Sequence, residues 1–234
     1  TNAFATGRIA HAFMLTGVRG VGKTTTARII ARALNYQSTD GRGAPGNSTG
    51  SAGPTMDLAQ EGVHCRAIAE SRHPDVMEMD AASRTGIGDI RELIEGVRYA
   101  PVSARYKVYI IDEVHMLSTQ AFNGLLKTLE EPPPHVKFIF ATTEVRKLPV
   151  TVLSRCQRFD LKRVEHEVLV AHFAKICAAE GTSAQDEALS MIARASEGSV
   201  RDGLSILDQA IAQGEGVITA SDVRDMLGLA DRGR

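Results

Sequence analysis

The sequence predicts an α/β fold followed by a small all-helical domain, and three observations carry that prediction. Up to about residue 162, short apolar runs rich in β-branched and aromatic residues alternate with helical patterns. From residue 163 onward only helical patterns remain, each closed by a glycine. Between the first apolar run and the first helix lies a glycine-rich loop ending in lysine and threonine.

The predicted strands are "AFMLT" (12–16), "DVMEMD" (75–80), "KVYIID" (107–112) and "VKFIFATT" (136–143). Strands covered on both faces of a parallel sheet read as continuous apolar runs rather than as alternation. Ile87, Ile90, Leu93, Ile94 and Val97 share one helical face, and Phe122, Leu125, Leu126 and Leu129 share another. Ser118 is placed to start the second of these helices, and Pro132 to Pro134 to stop it. The helical part reads "EHEVLVAHFAKICAAEG", "AQDEALSMIARASEG" and "SVRDGLSILDQAIAQG", with Gly181, Gly198 and Gly214 expected in left-handed conformation. "DGRGAPGNSTGSAGP" (40–54) predicts a mobile loop, within an insertion of about 36–65. The expected domains are therefore 1–162 and 163–234.

Of the 234 residues 43% are hydrophobic and 24% charged, enough for one large or two modest domains. No apolar stretch approaches the roughly 20 residues that span a bilayer, and the start lacks signal-peptide character, so a cytoplasmic protein without membrane partners is expected. Three scattered cysteines do not form a disulfide framework. A net charge of −1 gives no global attraction to nucleic acid, so any such contact needs a local patch. Residue 1 is threonine, and the chain reads as a fragment.

"GVRGVGKT" (17–24) matches G-x-x-x-x-G-K-[ST] between a strand and a helix, the context a phosphate-binding P-loop, or Walker A motif, requires. Its glycines let backbone N–H groups converge on phosphate oxygens, and the helix N-terminus favours the negative charge. Lys23 adds a point charge and Thr24 reaches Mg²⁺. Gly17, Gly20, Val21, Gly22, Lys23, Thr24 and Thr25 are the candidate nucleotide contacts. In "VYIIDE" an apolar strand ends in Asp112 and Glu113, a Walker B pattern. On a strand beside the P-loop, one carboxylate can hold Mg²⁺ with Thr24, and the other can orient or activate water. The pairing points to NTP hydrolysis.

"HAFMLTGVRGVGKTTTARIIARALN", "EMDAASRTG", "YKVYIIDEVHMLSTQAFNGLLKTLEEPP", "KFIFATTEVRKLPVTVLSRCQRFDL" and "EGSVRDGLSILDQA" together resemble the gamma/tau subunits of bacterial DNA polymerase III, the AAA+ ATPases of the sliding-clamp loader. The resemblance covers nearly the whole chain. It implies an AAA+ P-loop NTPase, with a helical lid, that uses ATP/ADP and Mg²⁺. Its implied partners are the delta and delta-prime subunits, further gamma/tau copies, the sliding clamp and primer–template DNA.

The resemblance further implies roles for single residues. Thr143 corresponds to sensor 1, with Thr142 as the fallback. Arg155 in "SRC" is similar to the arginine finger that serves a neighbouring subunit's nucleotide, and Arg201 in "GSVRDG" to sensor 2 of the lid. Arg84, Thr85 and Arg91 fall where the family faces DNA, and Ser83 is as readily a helix cap. The family often carries a four-cysteine zinc module after the first P-loop helix. Here Tyr36 stands at one ligand position and only Cys65, beside His64, is left, so no zinc is expected and Cys65 is read as a small core residue. On the resemblance, the N-terminal segment that helps enclose adenine and the collar domain are expected to lie outside this stretch. A small-molecule kinase and a non-hydrolysing, delta-prime-like subunit are the alternatives. The lid's lack of a polar substrate cluster argues against the first, and intact Lys23, Thr24, Asp112 and Glu113 against the second.

Overall fold

The computed structural model describes residues 8–39, 53–83, 87–214 and 216–228, except the side chains of residues 87–89 and 91. It divides into two compact units, Thr1–Thr16 with Lys23–Asp160, and Gly17–Gly22 with Leu161–Arg234. The loop 17–22 clusters with the second unit.

The first unit is built on five parallel strands: β1 (Ala12–Thr16), β2 (Val76–Asp80), β3 (Lys107–Asp112), β4 (Val136–Thr142) and β5 (Gln157–Asp160), in the order β2-β3-β4-β1-β5. Every residue of β1 and β4 is buried, as their largely apolar sequences suggest for central strands, and β4 buries Lys137 as well. The sequence reading assigned the strands no order, and β3 is not the neighbour of β1. β4 stands between them, because hydrophobic runs identify central strands without fixing which pair. β5 escaped the sequence reading since all four of its residues are exposed and it carries no apolar signature.

Helix α1 (Lys23–Leu34) packs against β3 and β4 and buries Ala27, Ala31 and Leu34 at helical spacing. It is followed by α2 (Cys65–Ala69), α3 (Ile87–Gly96), α4 (Thr119–Glu130) and the single turn α5 (Val150–Leu153). Ile90 and Val97 from the α3 region and Phe122, Leu125 and Leu129 of α4 enter one core with Tyr109, Phe138 and Phe140. Ser118 caps α4 by accepting from the Ala121 N–H at 3.2 Å, and the helix ends two residues before Pro132.

Polar groups inside this unit brace its loops. Asp75, fully buried, accepts from the N–H groups of Val102, Ser103 and Ala104 and from the Ser103 hydroxyl. Burial alone raises its pKa, yet these four donors outweigh burial and hold the carboxyl below its usual range. Lys137, also buried, donates to the Ile9 carbonyl at 3.2 Å and lies over the Tyr106 ring.

Within the predicted insertion, residues 40–52 lie outside the described residues. Its flanks are tied to α1 and to each other: the Thr55 N–H donates to the Ala33 carbonyl and the Val63 N–H to the Gln37 carbonyl. Cys65 is buried against Tyr36 and Leu58. Next to it, His73 Nε2 is 2.9 Å from His64 Nδ1, His64 Nε2 is 3.2 Å from Gln37 Oε1, and the Asp75 N–H donates to His73 Nδ1 at 3.0 Å. With that N–H fixing the direction, each histidine carries its proton on Nε2 and donates onward, ending on Gln37. Among the described residues no group of three or more His, Cys, Asp or Glu is placed to hold a metal ion, and no helix is long and apolar enough to cross a membrane.

The second unit packs α6 (His166–Ala179), α7 (Asp186–Ala195), α8 (Val200–Gln213) and α9 (Ala220–Met226) around Leu169, Phe173, Leu189, Ile192, Leu207 and Val223. Two-residue strands β6 (Ser183–Ala184) and β7 (Val217–Ile218) pair in parallel, too short to register as a pattern in a part read as helices only. Gly181 and Gly198 have φ of +69° and +83°, as expected, and the Thr182 N–H closes the end of α6 on the Cys177 carbonyl. Gly214 differs: its φ is −78° with ψ 141°, and the positive φ falls on Gly216 instead. The chain leaves α8 extended into β7, so no left-handed cap forms there.

Burial lowers the pKa values of His64 and His73, with each other's proximity adding to the effect at His73. Both therefore stay neutral to lower pH in the folded chain than in the unfolded one, which takes up protons below about pH 6.5. The stability this contributes is complete above that pH and is lost as pH falls through the window beneath it. Urea unfolding at about pH 7.5 and about pH 5.5 is expected to show the loss, and His73→Phe to flatten the slope between them. Equal slopes in the two proteins would show that the pair does not titrate on unfolding.

Candidate functional site

The loop 17–22 follows β1 and is shaped by three glycines. A Cβ on Gly17 would stand 2.5 Å from the Leu161 carbonyl oxygen, and one on Gly20 2.0 Å from Ser199 Oγ and 3.1 Å from Arg201 Cβ. Gly22 has open space around it but a φ of +94°. The Gly20 carbonyl accepts from the Arg201 N–H at 3.3 Å, while Ser199 caps α8 by accepting from the Asp202 N–H. Within the second unit the start of α8 is therefore seated on the loop. Val21 is buried, and Arg201 is exposed.

In the first unit α1 begins at Lys23, which is 6% exposed, with Thr24 next and Thr25 at the surface. Thr24 Oγ1 donates to Asp112 Oδ2 at 2.5 Å, a length typical of a hydroxyl on a carboxylate. Asp112 Oδ1 accepts from the Glu113 N–H at 2.9 Å. Glu113 itself has left-handed backbone (φ 46°, ψ 44°), uncommon for a residue with a Cβ. Its Oε2 accepts from the Thr143 hydroxyl at 2.9 Å and the Thr143 N–H at 3.2 Å.

The strand end thus distinguishes the two candidate threonines. Thr143 meets Glu113, whereas Thr142 is fully buried and its Oγ1 accepts from the Glu144 N–H and lies 2.9 Å from His115 Nδ1. His115 was not singled out in the sequence, where one histidine after an acidic pair has no distinguishing pattern. Its position two residues beyond Glu113, at the end of the same strand, is the signal that could have found it.

Arg155 lies elsewhere in this unit. Its guanidinium donates to the Thr151 carbonyl at 2.7 Å and pairs with Glu130 at 2.9 Å, with its side chain 34% exposed. Arg84, Thr85 and the Arg91 side chain lie outside the described residues. Ser83 donates to Asp80 Oδ2 at 2.9 Å, turning its hydroxyl back toward the end of β2.

Residues 1–165 match the family model described as DNA polymerase III, delta subunit, and residues 168–216 match that of the DNA polymerase III clamp loader subunit, ATPase lid domain. The chain is 47% identical to DNA polymerase III subunit tau of Escherichia coli over 98% of its own length and 34% of that protein's. It is 43% identical to the tau subunit of Bacillus subtilis, over 94% of the chain and 37% of that protein. To DNA polymerase III subunit gamma of a Buchnera aphidicola strain it is 42% identical, over 98% of the chain and 60% of that protein. The chain thus spans about a third of the length of these tau relatives. Among solved structures it resembles the Thermotoga maritima RuvB Holliday junction branch migration motor, with a TM-score of 0.63 at 18% identity over 97% of the chain and 64% of that chain. That likeness concerns the fold: a parallel sheet flanked by helices and followed by a helical lid.

The glycines give a test of how the loop is held. Gly22→Ala meets only backbone strain, a cost of about 1–2 kcal/mol. Gly20→Ala adds a collision with Ser199 and should destabilise the chain more, by roughly 1–3 kcal/mol beyond that strain. Guanidinium melts giving equal losses for both would show that α8 is not seated tightly on the loop.

Proposed function

Because the chain belongs to the clamp-loader ATPase family of DNA polymerase III, we propose that it is an ATP-hydrolysing motor subunit whose nucleotide cycle gates the placement of a sliding clamp on primed DNA. The observation that carries this reading is the Thr24–Asp112 hydrogen bond, which joins the hydroxyl after the P-loop lysine to the carboxylate ending β3. Hydroxyl and carboxylate are hard oxygen donors, the set that suits Mg²⁺ beside a nucleotide's phosphates. The ion, when bound, neutralises phosphate charge.

In this reading Gly17, Gly20, Val21, Gly22 and Thr25 line the phosphates with Lys23, and Thr24 and Asp112 hold Mg²⁺. Glu113 takes a proton from the attacking water, and Thr143 orients that water or the γ-phosphate. Arg201, on the helix seated against Gly20, senses the γ-phosphate. Loss of that phosphate ends these contacts and resets the subunit. The proposed partners are delta, delta-prime and further gamma/tau subunits, the sliding clamp and primer–template DNA, all in the cytoplasm. Arg84, Thr85 and Arg91 would touch DNA phosphates without reading sequence, so Arg84→Ala and Arg91→Ala should reduce the salt dependence of DNA binding.

Titration calorimetry is expected to show that Lys23→Ala abolishes MgATP binding, while Glu113→Gln binds normally and fails to turn over in the assembled complex, since an amide cannot accept the proton. Normal binding by the first variant or normal turnover by the second would overturn the reading.

Arg155 is proposed to act on a neighbouring subunit's nucleotide. Arg155→Ala should leave the chain's own ATP affinity unchanged and cut hydrolysis in the complex, on the roughly 10³-fold scale of such fingers. Mixing Arg155→Ala chains with Lys23→Ala chains should restore part of the activity. Activity of a dilute monomer that disappears with Arg155→Ala would instead show action within one chain.

A further inference from the structure

We propose that His115 is a positioning residue for hydrolysis, tying the Glu113 carboxylate at the end of β3 to the end of β4. The proposal rests on the reading of Glu113 as the group that activates water. His115 sits on a one-turn 3₁₀ helix, Val114–Met116, that starts directly after Glu113, and its side chain is 5% exposed. Both nitrogens of this ring face oxygens: Nδ1 lies 2.9 Å from Thr142 Oγ1 and 3.3 Å from Glu113 Oε2, and Nε2 lies 3.5 Å from Glu144 Oε1.

The consequence is geometric. Glu113 Oε2 is approached by His115 Nδ1, the Thr143 hydroxyl and the Thr143 N–H, three groups held by two different strand ends. A carboxylate with one oxygen engaged this way has a fixed plane, which aims its second oxygen. Thr142, whose hydroxyl accepts from the Glu144 N–H and lies against Nδ1, anchors the ring to β4. Glu113 needs such support because its left-handed backbone is costly and persists only where its surroundings over-determine it. Val114 buries itself in the core after that turn, and His115 lies against Glu113 and Thr142. His115 therefore sets where the base and the Thr143 hydroxyl stand relative to each other, without touching nucleotide.

The test compares the full-length chain, in its assembled complex, with His115→Asn, His115→Gln and His115→Ala. Asparagine presents a polar atom where Nδ1 sits, and glutamine where Nε2 sits. Nucleotide affinity should be unchanged throughout. Turnover should stay near wild type in His115→Asn and fall about 10- to 100-fold in the other two, the scale for a catalytic group displaced by about 1 Å. Amide exchange at Thr143 in the nucleotide-free chain should accelerate in His115→Gln and His115→Ala but not in His115→Asn. Unaltered turnover in His115→Ala, or parallel losses of affinity and rate in all three variants, would overturn the proposal. A wild-type complex that binds ATP without hydrolysing it would overturn the reading of Glu113 and this proposal with it, and the wild type's own inactivity separates that result from a failure confined to the variants.

Discussion

The hydrogen bond from Thr24 to Asp112 spans more of the sheet than its length suggests. Thr24 stands at the start of the helix that follows β1, Asp112 at the end of β3, and β4 runs between those strands. Two strand spacings are about 10 Å. The first turn of α1 must therefore lie over the end of β4, and α1 does pack on β3 and β4. Lys23 and Thr24 are carried there by the same displacement. The end of β4 supplies Thr142, and Thr143 follows it and donates to Glu113 beside Asp112.

That arrangement depends on a stiff sheet. β4 is buried along its whole length and stacks Phe138 and Phe140 beside Tyr109 of β3, with ring centroids 5.5 to 5.7 Å apart. Interiors packed in this way resist graded deformation, so the positions of the strand ends are defined. Away from those ends, polar groups secure the loops: Asp75 gathers the 102–104 turn, and the histidine relay closes the base of the insertion. A network of this kind is stabilising only when every member is paired, and each ring nitrogen of His64 and His73 has a partner.

In the helical unit a single glycine does the corresponding work. Gly203 lies inside α8, where glycine normally weakens a helix, and a Cβ there would meet Phe173 at 2.3 Å. Close approach of α8 to the Phe173 ring thus explains its place in the sequence. The same helix is capped by Ser199 against Gly20, so two close approaches at its N-terminal end, one to Phe173 and one to the loop, each depend on a glycine.

Much of this was legible in the residues alone. Four strands appear within one residue of their predicted limits: β1, β3 and β4 because burial on both faces demands a mostly apolar run, and β2 although Met77, Glu78 and Asp80 are exposed. The P-loop was recognisable since backbone convergence on phosphate restricts where glycine, lysine and threonine can stand. Ser118 and Gly181 likewise signalled a helix start and end by local chemistry. Exposed β5, the two-residue β6 and β7 and the extended Gly214 were not legible, since each is held by a neighbour rather than by its own pattern. Strand order belongs to the same class, and with it the placement of β4 between β1 and β3. So does the choice of Thr143 over Thr142 beside Glu113, and the role given to His115. Local sequence determines what a segment can form because its causes lie within a few residues. Which groups meet is decided only when strands distant in the chain pair, and that is where Glu113, His115 and Thr143 come together.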